Sequence, residues 1–223
     1  MDHANPATGE AKGPHAGFQD PTMLAKWTKA FLYAGVALAI VSAWEVAGEL
    51  ELYGGAGSQD GWTPLTALLL LARIALALGT PILVLMWIYR ANYNARQLGA
   101  ADMRFTPGWA VGWYFVPIGW FWMPYLAMRE IWRASVNPSD WRAEPVSPLL
   151  RWWWGLWIVT AWGLDSVDLV ASFRLDEAGF ETVDAATNLV GHALDIPRAF
   201  VLVAIIAAVS QLQTAHHRRQ SEP

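Results

Sequence analysis

The chain has 223 residues, 55% of them hydrophobic and 15% charged, with a net charge of −4, a pI near 5.7 and a mean hydropathy of +0.26. An ordinary soluble domain carries about 25% charged residues, so the apolar surplus excludes disorder for most of this chain. The acidic balance, with no basic stripe, excludes nucleic-acid binding, and the absence of cysteine removes disulfides, thiolate metal sites and cysteine nucleophiles. What remains is a polytopic membrane protein.

Residues 1–22 are polar and punctuated by Pro6, Gly9, Gly13, Pro14, Gly17 and Pro21. They lack the apolar stretch and cleavage site of a signal peptide and read as a flexible tail. A spanning helix needs about 20 mainly apolar residues, and four stretches qualify: 27–48, 65–89, 152–173 and 188–212. Pro81 and Pro197 interrupt the second and the last. With 216–223 as a short C-terminal tail, residues 23–215 form a single all-α membrane domain. The aromatic stretch 107–135 differs, because Pro117, Gly119 and Pro124 break it. Proline removes a helix hydrogen bond and clashes with the preceding turn. This predicts a re-entrant or interfacial helical hairpin that turns near Ile118–Trp122.

Charge sets the orientation, since cytoplasmic flanks collect Lys and Arg. With the N-terminus inside, the inner flanks hold Lys26, Lys29, Arg90, Arg96, Arg104, Arg129, Arg133, Arg142, Arg151, Arg218 and Arg219, and the outer loops hold only Arg174. Glu49, Glu51 and Asp60 make one outer loop acidic; Asp176, Glu177, Glu181 and Asp184 do the same for the other. The bias requires both ends of 107–135 to lie inside. The expectation is a bacterial inner-membrane protein, multi-pass, with both termini cytoplasmic. Trp and Tyr favour the membrane–water interface; Trp27, Trp87 and Trp152–Trp154 fall at inner ends, Trp44 and Trp62 near outer ends.

Ionisable groups inside spans are costly and usually face a bundle interior or a cavity. Here they are Glu45, Arg73, Asp165, Asp168, His192, Asp195 and Arg198, all in the outer half on this topology. Asp165 and Asp168 share a helix face, as do His192 and Asp195, and Asp195 and Arg198. Arg73 is placed to reach Asp165 or Asp168, and Arg198 to reach Asp195 or the same two acids. Four carboxylates against two arginines leave a surplus of acid; the charges read first as paired locks between helices, and alternatively as the lining of a hydrated outward-facing cavity. A single span histidine cannot give bis-histidine haem ligation, and no metal site or cofactor is expected.

The most specific pattern lies between Arg90 and Ser135. It comprises Arg90 with Asn92 and Asn94, a Leu98–Ala100 turn, and a Pro107–Gly108–Trp109 opening. Trp113 to Pro117, Pro124 with Tyr125, and a close containing Met128, Arg129, Glu130 and Trp132 complete it. On these residues the chain resembles the bacterial membrane family called domain of unknown function 4328, strongly over 90–135 and more loosely through the flanking helices. The family's polar Asn-Leu-Trp-Lys/Arg-Pro type of turn is replaced here by Trp120, Phe121, Trp122, Met123 and Pro124. The resemblance implies a multi-helix membrane domain and no activity.

Around the carboxylates, neither WGLDSVDLV nor HALDIPRAF carries a catalytic motif, and the chain reads as non-enzymatic. The leading expectation is a scaffold or sensor subunit that acts through protein or lipid contacts at its cytoplasmic aromatic and basic hairpin. Its partners would be the bilayer, anionic lipids at the inner face, and a membrane protein or a second copy. The alternative is a small transporter or ligand-binding module built on the intramembrane charge cluster.

Overall fold

The computed structural model describes residues 17–49 and 64–222, and these are helical with no strand among them. Seven α-helices follow in order: α1 Thr22–Glu49, α2 Pro64–Gln97, α3 Pro107–Gly112, α4 Met123–Val136, α5 Pro148–Ile158, α6 Leu164–Arg174 and α7 Glu177–Ser221. Four helical units are long and apolar enough to cross a membrane: α1, α2, the continuous α5–α6 and α7. The acidic loop residues Glu51 and Asp60, Trp62 and most of the N-terminal segment lie outside the described residues.

Local chemistry sets the helix starts. Thr106 caps α3 by accepting the Trp109 N–H, and Ser147 caps α5 by accepting that of Leu149. Each cap is followed by a proline, whose missing N–H costs nothing in the first turn. Asp176 caps α7 by accepting the Gly179 N–H at 3.0 Å. Glu177 and Glu181 then lie by the positive end of the helix dipole. The acidic outer loop expected before the last span is thus mostly helix. At 1.5 Å per residue, the 45 residues of α7 extend about 68 Å, far beyond the roughly 30 Å hydrocarbon layer. The presumed C-terminal tail continues this helix through Ser221.

Helix α7 is the central post, flanked by α1, α4, α5 and α6, while α1 also packs on α2. Residues 107–136 form a helix–turn–helix of α3 and α4, with two short 3₁₀ turns between them. Both of its ends lie at the end of the bundle where α2 and α7 terminate. Gln213 donates to Ala91 O at 2.8 Å and to Ser135 Oγ at 2.9 Å, and His216 Nε2 donates to Val136 O at 3.0 Å. The connection 98–106 is held there too, through Arg96 to Met103 O and Phe105 O, and Trp141 to Ala101 O.

The buried core sits in this half and includes Trp87, Ile88, Met128, Ile131, Leu150, Ile205, Ile206 and Val209. Two of the tryptophans assigned to inner ends are packed rather than exposed. Trp87 is fully buried and donates to Ser210 Oγ at 3.1 Å, and Trp153 is 3% exposed, whereas Trp27 and Trp152 are exposed. Trp87 is drawn inward because a polar residue on α7 satisfies its N–H. Polar contacts of this kind between membrane helices contribute about 0.6–2 kcal/mol each. Residues 17–21 are also not a free tail. The Gln19 backbone pairs with Asn94 in both directions, at 2.7 and 3.0 Å, and Phe18 stacks on His217 at 4.2 Å.

Away from the core the helices loosen. The hairpin fills the space between α2 and α5 at the core end; beyond its tip these two helices share no packing seam among the described residues. An apolar cavity of the candidate site is lined from α2 and α5 there, together with α1, α7 and the hairpin.

Candidate functional site

The charged residues of the spans resolve into separate stations. On α1 and α2, the Arg73 guanidinium donates to the Glu45 carboxylate and, at 3.2 Å, to Ser42 Oγ. On α7, Arg198 meets Asp195 at 2.7 Å and donates to Thr160 Oγ1 at 2.6 Å. Asp168 accepts the Thr187 hydroxyl at 2.6 Å. Asp165 is exposed and has no hydrogen bond or ion pair among the described residues. Arg73 therefore pairs with Glu45 on the neighbouring helix rather than with Asp165 or Asp168. Arg198 takes its own-helix acid and a hydroxyl rather than the Asp165–Asp168 pair. The surplus acids are those two, and only Asp168 is engaged. Among the described residues, no group of three His, Asp or Glu side chains is placed to hold a metal ion.

Two adjoining cavities bring the remaining charges together. The first, about 410 Å³, is lined by Ser42, Glu45, Arg73, His192 and Asp195, together with Gly35 and Ala39. The second, about 510 Å³, is mainly apolar and runs from Asp195 and Arg198 past Pro81 and Trp157 to Tyr114 and Phe115 of the hairpin. Gly35 and Asp195 belong to both. The charged side chains stay accessible from this space: both members of the Arg73–Glu45 pair are 42% exposed, and Arg198 and Asp195 are 31% and 35%.

Three features set this geometry. Between α5 and α6 the helix opens into a π-turn at Val159–Gly163. Such insertions shift the facing of the residues beyond them and recur at functional sites. Within this turn Thr160 donates to Leu156 O at 3.0 Å while accepting from Arg198. In the hairpin turn, Ile118 has φ +68° and ψ −51°, and the Gly119 N–H donates to Pro117 O at 2.7 Å. This is a three-residue γ-turn of the strained hand, costing about 1–3 kcal/mol at a β-branched residue. Gly119 is required at the next position, because a Cβ there would lie 2.7 Å from the Trp113 ring. An aromatic cage then clamps the turn: Trp154 donates to Phe121 O at 3.1 Å, and Trp162 packs on Trp120 and Phe121.

The motif residues serve the base of the same hairpin. The Glu130 carboxylate is 6% exposed and accepts the backbone N–H groups of Arg104 at 2.5 Å and Phe105 at 3.0 Å. Asn92 donates to Phe105 O at 3.1 Å and accepts from Arg96 Nε at 3.2 Å. Arg90 reaches Asp20 O at 3.3 Å. Pro107 and Pro124 occupy first-turn positions, Trp109 lies 5.3 Å from Trp113, and Arg129 stands over the Tyr125 ring. Gly108 lies in the first turn of α3, and Trp132 is packed against the core. Asp20, before α1, has its carboxyl held below the usual range, chiefly by the Thr22 hydroxyl and then its N–H, with Arg90 and Arg218 nearby.

Sequence reasoning did not identify Ser42, Thr160 or Thr187, and it placed Tyr114 and Phe115 in the motif without their role as a cavity wall. Ser42 had a signal, its i,i+3 spacing from Glu45. Thr160 had none, since the π-turn that aims it is not written in hydrophobic periodicity.

No curated protein and no solved structure matches the chain. The profile of one family does, the domain of unknown function DUF4328, over residues 59–214. That match takes in α2, the hairpin with its Asn92–Glu130 base, and α5 to α7, and the chain belongs to this family.

Proposed function

We propose that this chain is a non-enzymatic sensor or scaffold subunit of the bacterial inner membrane, with both termini cytoplasmic. The hairpin enters the membrane from the cytoplasmic side and returns to it. What supports this is the hairpin's double attachment. Tyr114 and Phe115, in the 3₁₀ turn that leads into its tip, form a wall of the apolar cavity. Its base is tied by Glu130 to the connection that carries Arg104. Occupancy of the cavity and the shape of the basic end are therefore linked through one short element, and the strained Ile118 turn gives it a stored bias. Arg129, Arg133, Arg142 and their neighbours would meet anionic lipids, at about 1 kcal/mol per residue, and a membrane partner or second copy. Crosslinking in cells from the Arg104 and Ser139 positions tests this. The adducts should be lost in Arg129→Glu/Arg142→Glu with the protein still folded, and unchanged adducts would refute the docking role.

The cavities favour a second reading, a small ligand-binding or transport module. Its support is that two acid–base pairs line open space rather than sealing it. In this cysteine-free chain, Leu38→Cys, Ser42→Cys and His192→Cys should react with an impermeant thiol reagent added outside, while lipid-facing Leu71→Cys should not. Silence at the first three, with Ala178→Cys reacting, would sink it.

A further inference from the structure

We propose that the cleft between α2 and α5, above the hairpin tip, binds an acyl-chain phospholipid whose head carries both a phosphate and an amine. This rests on the second reading above and gives its ligand a class.

Polarity along the two cavities runs in one direction. From Glu45 down to Leu32 on α1 is thirteen residues, about 20 Å of helix. The first part of that path carries Glu45, Arg73, His192 and Asp195. The rest starts at Arg198 and Thr80 and continues along Leu76, Val84, Phe115, Trp157 and Leu202. A charged end above an apolar trough is the profile of a lipid standing in the outer leaflet. The trough is lined from both α2 and α5, and these helices share no packing seam among the described residues. A tail can therefore enter from the bilayer without crossing water. Combined, the cavities match the scale of sites that hold small molecules, roughly 300–1,000 Å³.

The charges select the head. Each polar station holds one carboxylate and one guanidinium, Glu45 with Arg73 and Asp195 with Arg198. A purely anionic head would bring its phosphate against a carboxylate, and a lone cation would face a guanidinium. Both stations are internally paired, so a head with both signs can join them without setting like charges face to face. Tyr114 lines the cleft and leaves its hydroxyl buried with no hydrogen-bond partner among the described residues.

The test uses the intact chain in detergent, titrated with phosphatidylethanolamine or phosphatidylglycerol of identical acyl chains and read by native mass spectrometry. A phosphatidylethanolamine bearing a photoactivatable acyl chain maps the contact. The expected result is at least fivefold preference for phosphatidylethanolamine and crosslinks at Phe115 or Trp157. Retention should fall at least fivefold in Ala77→Trp, which fills the trough, and in Arg198→Gln. Equal retention of the two lipids overturns the head assignment, and crosslinks unaffected by Ala77→Trp reduce the lipid to a non-specific annular one. If the cysteines at Leu38 and Ser42 label from outside while no lipid is retained, the lipid proposal fails and the aqueous ligand reading stands. If neither labelling nor retention occurs, both fail.

Discussion

Replacing Glu130 tests whether the family motif is a structural knot. Its buried carboxylate accepts two backbone N–H groups, from Arg104 at 2.5 Å and Phe105 at 3.0 Å. Hydrogen bonds to a charged group contribute about 1.5–3 kcal/mol each. Glu130→Ala deletes both and leaves the Phe105 N–H buried without a partner, so the expected cost is about 3–6 kcal/mol. Glu130→Gln keeps one acceptor and turns an amide N–H toward the other donor, so it should cost at least half of that. Reversible unfolding in mixed micelles, followed by tryptophan fluorescence, gives the numbers. Limited proteolysis should show the 98–106 connection opening first. If Glu130→Ala lies within about 0.5 kcal/mol of wild type, the range of an ordinary surface substitution, the knot does not hold the hairpin and the reasoning fails.

A double-mutant cycle on Glu45 and Arg73 should return a coupling of about 0.6–2 kcal/mol, and the charge-swapped pair should recover most of it; no coupling would mean the two do not meet in the membrane. Gly119→Ala should cost about 1–3 kcal/mol through overpacking against Trp113, visible as a shift in tryptophan emission and a lower unfolding midpoint. Because Asp20 has a depressed carboxyl pKa, its contribution is present above the ordinary aspartate range and lost as pH falls through the lowered folded value. Asp20→Asn should therefore lower stability at neutral pH, and its difference from wild type should shrink below about pH 4; a constant difference across that range would contradict the assignment.

The four long apolar units and the turn in 107–135 were legible because length, hydrophobicity and proline positions are local signals. The helix ends were less so. α7 begins at Glu177 rather than near residue 188, because Asp176 caps it and acids suit a helix N-terminus, which an apolarity window does not register. The charged residues were also legible as a set, since an ionisable group within a span stands out in any composition. Their pairing was legible only where it is local, in Asp195 with Arg198 at i,i+3. Arg73 reaches Glu45 because α1 packs on α2, and Arg198 reaches Thr160 because of a π-turn. Both are tertiary facts without a sequence period. The burial of Trp87 was not legible for the same reason: its partner Ser210 is 123 residues away.

The central claim is that the hairpin leaves and returns on the same side as the termini. Single cysteines at Ala101, Ser139 and Gln220, with Ala178 as the opposite-side marker, can be labelled in intact cells and in inverted vesicles. The account predicts that Ala101, Ser139 and Gln220 react only in inverted vesicles and Ala178 only in intact cells. A Ser139 cysteine that reacts from outside would make 107–136 a full span and contradict the account.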